Sequence, residues 1–268
     1  MKWTYNDETF AYFKRRLKEV TPWLPEEAES VIDRFYWVVT FGKIVCPEYY
    51  FKWPCCEWWK DNLFNQFMEK FPPGWIYLES DRKWNMIQLM RLCAHIPGDT
   101  AECGAWKGAG SWLIMKEWEK QFKSHERHHY IFESCEGLSA PDENDGQYMK
   151  AGDMACSEEE IKTNLHDYAS CYTLYKGWIP SRFHEIKNKH FAFVHIDVDH
   201  YKPTKDSIEF FYPRLSPGAI LINDDYGYTT CPGATKAMDE FLADKKEKMV
   251  SLSAGGGFFI KGYPTSAT

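Results

Sequence analysis

Two apolar runs in this chain end in carboxylates: FAFVHIDVDHY (191–201) closes on Asp197 and Asp199, and GAILINDDYG (218–227) on Asp224 and Asp225. Runs so rich in β-branched and aromatic residues read as strands covered on both faces, as in a parallel sheet flanked by helices. Carboxylates at the carboxyl ends of such strands emerge at one rim, where open α/β folds bind ligands. Asp197, Asp224 and Asp225 converging there would repel one another unless a cation lay between them. Hard oxygen donors suit Mg²⁺, or in its place Ca²⁺ or Mn²⁺, better than zinc. The plainer alternative is a polar turn at Asp224 and Asp225, a setting that favours Asp.

The rest of the chain from Ser80 onward supports a doubly wound sheet. SDRKWNMIQLMRLCAHIPGD has apolar residues at helical spacing and is stopped by Pro97 and Gly98. Strands are expected in TAECGAW, HHYIFES, CYTLYKGW, FAFVHIDV and GAILINDD, the last following an SPG turn. Helices are expected in SEEEIKTNLHDYASC, where Ser157 and Glu160 have capping-box spacing, in KDSIEFFYPRL, and over about 233–246. KMVSLS and GFFIKGY are close enough to form an antiparallel hairpin beside the parallel strands. The expected fold is therefore α/β, a mostly parallel Rossmann-like sheet with an antiparallel C-terminal hairpin.

Residues 1–80 read differently. They are helical in character, are broken by TPWLPEE, CPEYYFKWP and FPPGW, and hold the aromatic clusters FYWVVTF and YYFKWPCCEWW. These rings suit a helical cap or lid, a subunit interface or a thicker core ahead of the main domain at 81–268. With 44% hydrophobic and 17% aromatic residues the chain has the means to build a large core, which argues strongly against disorder. A net charge of −7 offers no footprint for nucleic acid. No stretch approaches the roughly 20 apolar residues of a membrane span, and the first ten residues lack the pattern of a signal peptide, so a cytoplasmic protein is expected. Nine cysteines without a CxxC pair read as buried free thiols, and His125, His128 and His129 as a solvated tract ahead of a strand.

AECGAWKGAGS (101–111) places Glu102, Gly104, Gly108, Gly110 and Ser111 between a strand and a helix, where glycine lets the backbone approach a ligand at a helix N-terminus. Its spacing is not the GxGxxG of nicotinamide or flavin binders. Followed by Glu133 at the end of the next strand, it resembles the nucleoside-binding loop of class I S-adenosylmethionine methyltransferases. IPGDTAECGAWKGAGS, FESCEGLSAPDENDG, GDMACSEEEIKTNL, YKGW, HIDVDHYKPTKDSIEFFYPRLSPGAILINDDYG and CPGATKAMDEF also occur in an order that resembles the macrocin O-methyltransferase (TylF-type) family, over about residues 80–262. The most specific parts are the DxDxYxxT run, LSPG and DDYG.

The resemblance implies a Mg²⁺-dependent enzyme that methylates sugar hydroxyls with S-adenosylmethionine as donor. It implies Asp197, Asp224 and Asp225 as metal ligands and Asp199 as general base. Glu102, Gly104, Gly108, Ser111 and Glu133 would line the cofactor, with Ser134 and Asp153 near ribose or adenine. A homodimer and a small sugar or glycoside acceptor are further expectations. The family commonly reads DGDLYEST and DSFEGLP where this chain has DVDHYKPT and ESCEGLS, so His200, Lys202 and Pro203 bear on the acceptor pocket. His195 and His200 are rival bases, His195 lying deeper in the strand and better suited to a satisfied core position. A catalytically silent cofactor-binding scaffold is the alternative to an enzyme.

Overall fold

The computed structural model describes residues 61–71, 80–121 and 127–265. Backbone contacts divide the chain into 1–65 and 66–268, and of the first unit only 61–65 are described. The aromatic clusters at 35–41 and 49–59, and most of the expected N-terminal cap, lie outside the described residues. The ordered elements are α1 (Asn62–Lys70), α2 (Ser80–Leu92), β1 (Asp99–Cys103), α3 (Ala109–Gln121), β2 (His129–Glu133), α4 (Glu158–Asn164), β3 (Tyr172–Lys176), β4 (Phe191–Ile196), α5 (Tyr201–Phe211), β5 (Leu215–Asn223), α6 (Pro232–Leu242), β6 (Val250–Ser251) and β7 (Gly257–Ile260). No helix among them is long and apolar enough to cross a membrane.

The seven strands form one sheet in the order β3-β2-β1-β4-β5-β7-β6. The first five are parallel, and β7 runs antiparallel to both β5 and β6, as the hairpin reading anticipates. Strand order reverses between β1 and β4, so the crevice beyond their carboxyl ends is the switch point at which such sheets take ligands.

Alternation along the strands sorts the two faces. Ala101, Cys103, Val194, Ile196 and Leu221 join Phe132, Phe183, Phe211 and Met238 in an apolar core that includes residues of α5 and α6. The register pairs Thr100 with His129 and Glu102 with His195, placing these polar side chains on the opposite face, which bears the Ser111 of α3.

Element limits differ from the sequence expectation in three places. Ser157 and Glu160 do form the capping box, but α4 ends at Asn164, because Leu165 is fully buried and packs against Gly108. The SPG segment belongs to β5 and shifts its register against β4 instead of preceding the strand as a turn. Helix α6 stops at Leu242, where the ammonium of Lys248 donates to the carbonyls of Leu242 and Ala243.

Candidate active site

β4 and β5 end side by side, and the carboxylate-bearing residues continue their ladder. Asp197 N–H donates to Cys103 O at 2.9 Å and Asp224 N–H to Ile196 O at 2.8 Å. After Asp197 the chain turns. Asp199 has φ +58, a left-handed conformation that Asp tolerates better than most residues, and His200 N–H reaches back to Val198 O at 2.6 Å. Asp225 holds this turn, its Oδ2 accepting the N–H groups of Val198 at 3.1 Å and Asp199 at 2.8 Å. The regular strand that would aim Asp197 and Asp199 the same way is therefore replaced by a turn.

The acids consequently fall into two groups whose ligand atoms lie within 4.8 Å of one another: His195, Asp197 and Asp224 in one, Asp199, Asp225 and Cys231 in the other. The first group is surrounded by protein cations. Arg82 pairs with Asp224 Oδ2 at 3.0 Å, donates to the Asp224 carbonyl at 2.9 Å and lies over the Tyr228 ring at 4.9 Å. Lys83 Nζ stands 3.4 Å from Asp197 Oδ2 and 3.7 Å from Asp224 Oδ2. His195, fully buried, bonds Glu102 Oε1 through Nδ1 at 2.8 Å and Asp224 Oδ1 through Nε2 at 3.2 Å. Both acceptors are carboxylates, so both ring nitrogens donate and the ring is an imidazolium. Burial and Lys83 oppose that charge, yet the bonds to Asp224 and Glu102 push its pKa up to about 9. Glu102, Asp197 and Asp224 thus face His195, Lys83 and Arg82, three against three.

Among the described residues no ion pair within 4 Å reaches Asp199 or Asp225. Burial, reinforced by Asp199 and Asp197, drives the Asp225 carboxyl well above the usual range, and burial together with Asp197 takes Asp199 up to about 6. Burial and the charge of Asp224 also raise Asp197. Asp224 goes the other way: burial would raise it, but Lys83 and Arg82 hold it well below the ordinary value. Asp197, Asp199 and Asp225, all raised, are carboxylates whose ionised forms added positive charge would favour, and their oxygen atoms suit a hard divalent cation.

The glycine turn sits against this cluster. Gly104 has φ +78, and a Cβ there would lie 1.8 Å from the carbonyl oxygen of Asp197, so only glycine lets the two strand ends meet. Above it, Glu133 accepts from Trp106 N–H at 2.8 Å and from Cys135 N–H at 2.9 Å. Burial still raises its carboxyl, which leaves it a strong acceptor for hydroxyl donors. Glu102 and Ser111, expected among the cofactor's ligands, instead face each other beneath the turn, Ser111 donating to Glu102 Oε2. A Cβ on Gly110 would lie 2.1 Å from Glu102 Oε1, which accounts for that glycine. Ser134 donates to Gly137 O at 2.9 Å, and the exposed Asp153 accepts from Lys150 N–H at 2.9 Å, each closing a local turn.

His129 departs from the solvated tract expected of it. It is buried on β2, with Nδ1 on the Thr100 hydroxyl at 2.8 Å and Nε2 on Ser111 at 3.0 Å. Ser111 spends its proton on Glu102, so Nε2 of His129 donates to Ser111, and in the neutral ring that burial favours Nδ1 accepts from Thr100. Burial lowers its pKa to about 4. A lowered histidine contributes stability above its unfolded value near 6.5 and loses it as pH falls toward the folded value. From about pH 7 to about pH 5 this costs about 2 kcal/mol. His129→Gln is expected to flatten the acid limb of the stability curve by that amount, measured as urea midpoints across pH; an unchanged limb would remove His129 from this role.

Sequence reasoning missed Arg82 and Lys83. SDRKWNMIQLMRL carries only helical spacing, and the packing of α2 is what turns both side chains onto the carboxylates. Cys231, whose thiol donates to Asp199 Oδ1 at 3.3 Å, was read only as a buried thiol. Asp145, which caps α5 through Tyr201 N–H at 2.7 Å, carried no sequence signal either. The rival base His200 bonds Ser139 Oγ through Nδ1 at 3.2 Å, and among the described residues its buried Nε2 has no partner.

Residues 84–259 match the Macrocin-O-methyltransferase (TylF) family. The chain belongs to that family. Among curated relatives of this TylF member, demethyldecarbamoylnovobiocin O-methyltransferase of Streptomyces niveus is 27% identical over 181 residues, covering 62% of this chain and 66% of that protein. A tetracenomycin-C rhamnosyl 4'-O-methyltransferase of Streptomyces olivaceus is 28% identical over 153 residues, covering 53% and 58%. The match thus spans less than two thirds of either relative's length. Among solved structures, the O-methyltransferase NovP superposes with a TM-score of 0.58 at 24% identity over 68% of this chain and 80% of that one. The calicheamicin methyltransferase CalS11 gives 0.60 at 17% identity over 96% and 94%. At these identities the two structures establish the class I O-methyltransferase fold.

Proposed function

We propose that this TylF-family chain transfers a methyl group from S-adenosylmethionine to a hydroxyl of a sugar or glycoside, with a divalent cation as cofactor. The observation that carries the reading is the pairing, at the switch point of the sheet, of a glycine turn under Glu133 with a group of carboxylates of which Asp199 and Asp225 are buried without an ion-pair partner among the described residues. Asp197, Asp224 and Asp225 would hold the ion, Mg²⁺ foremost. Gly104, Gly108, Glu133, Ser134 and Asp153 would line the cofactor, with Glu102 and Ser111 supporting the turn from below.

A sugar hydroxyl is a weak nucleophile, whereas a sulfonium methyl is already activated, so the protein must align and deprotonate the acceptor. The ion would lower the pKa of a hydroxyl in a vicinal pair. Asp199, with a pKa of about 6 and its Oδ1 oriented by the Cys231 thiol, accepts the departing proton. The buried His195 anchors Asp224 from beneath. Homodimer assembly rests on the resemblance, and a cytoplasmic setting on the free thiols of the six described cysteines.

Calorimetric titration of S-adenosylmethionine and S-adenosylhomocysteine, with Mg²⁺ and after EDTA, tests the cofactor half. Micromolar binding that survives EDTA is expected. Absence of binding in both conditions would overturn the methyltransferase reading.

A further inference from the structure

Arg82 and Lys83 both neutralise the first carboxylate group, but they are held very differently. The guanidinium of Arg82 is fixed by the Asp224 side chain, the Asp224 carbonyl and the Tyr228 ring. Among the described residues Lys83 has no backbone acceptor and no aromatic face. Among the described residues its ammonium touches only Asp197 Oδ2 and Asp224 Oδ2, at 3.4 and 3.7 Å. Those are carboxylates of two of the three proposed ion ligands, so the ammonium occupies oxygens that would have to be given up to an ion. Lysine is a compact point charge on a four-carbon stem and can withdraw without any movement of its helix.

Charge decides the rest. With Lys83 in place, Glu102, Asp197 and Asp224 are already matched by three cations, and a divalent ion added to that group would meet Lys83 at close range. Two such charges a few ångströms apart repel strongly at protein dielectric. The structure assigns Lys83 as a built-in counter-cation of Asp197 and Asp224 that competes with the divalent ion for the same carboxylates, so that ion binding requires its ammonium to leave. This rests on the metal reading above and adds to it a residue that sets the ion's affinity. Lys83 precedes the segment matched to the family, residues 84–259.

The test is Mn²⁺ binding to the full chain, followed by the electron paramagnetic resonance signal of the free ion, for wild type, Lys83→Met and Lys83→Arg. Titration with S-adenosylhomocysteine shows that each variant is folded. Lys83→Met is expected to tighten Mn²⁺ by about tenfold or more, and Lys83→Arg, which keeps the charge, to leave it near the wild-type value. Binding seen only in Lys83→Met supports the same competition at its limit. Wild-type binding that is unchanged or weakened in Lys83→Met overturns the role of Lys83 and leaves the metal reading standing. No Mn²⁺ binding by any of the three proteins overturns both.

Discussion

Asp224→Asn is expected to destabilise the metal-free protein by about 3–5 kcal/mol, whereas Asp225→Asn, one residue on, changes it by less than about 1 kcal/mol. The two aspartates are equally buried, at 3% exposure each, so burial cannot separate them. What differs is their partners. Asp224 is ionised against Arg82, Lys83 and His195, and neutralising it leaves three buried cations short of a counter-charge. Asp225 is already driven toward its protonated form, and an amide oxygen can go on accepting the N–H groups of Val198 and Asp199. Urea denaturation after EDTA treatment measures both. Equal losses in the two variants would contradict this division of charge.

Asp199→Asn should leave S-adenosylmethionine affinity unchanged and lower turnover by about 10²- to 10⁴-fold, the usual cost of losing a positioned base. The substitution preserves size and the left-handed backbone, which Asn also tolerates, so a fall in rate reports on the proton and not on the fold. Single-turnover methyl transfer to a panel of glycosides with vicinal hydroxyls is the measurement. Turnover near the wild-type rate would move the base elsewhere, and His200, whose buried Nε2 has no partner among the described residues, is the next residue to test.

Much of the architecture was legible along the chain because apolar runs of strand length alternate with helical spacing, and that pattern needs only local information. The five parallel strands, the C-terminal hairpin and the capping box at Ser157 and Glu160 are of this kind. Where elements end was less legible. Leu165 leaves its helix for a contact with Gly108, a residue far away in sequence, and no local rule anticipates such a contact.

The site divides along the same line. Sequence alone determined that acids would stand at the ends of β4 and β5 beside a glycine turn, since strand length and residue order dictate where Asp197, Asp224 and Asp225 emerge. Only the tertiary structure decided the charge each one carries. Ionisation of a buried carboxyl depends on which cations pack within a few ångströms of it, and Arg82 and Lys83 arrive from a helix more than a hundred residues upstream. The same is true of Glu102 and His129: the sequence marks their strands, but the pleat, the register and the helix laid over them turn both inward.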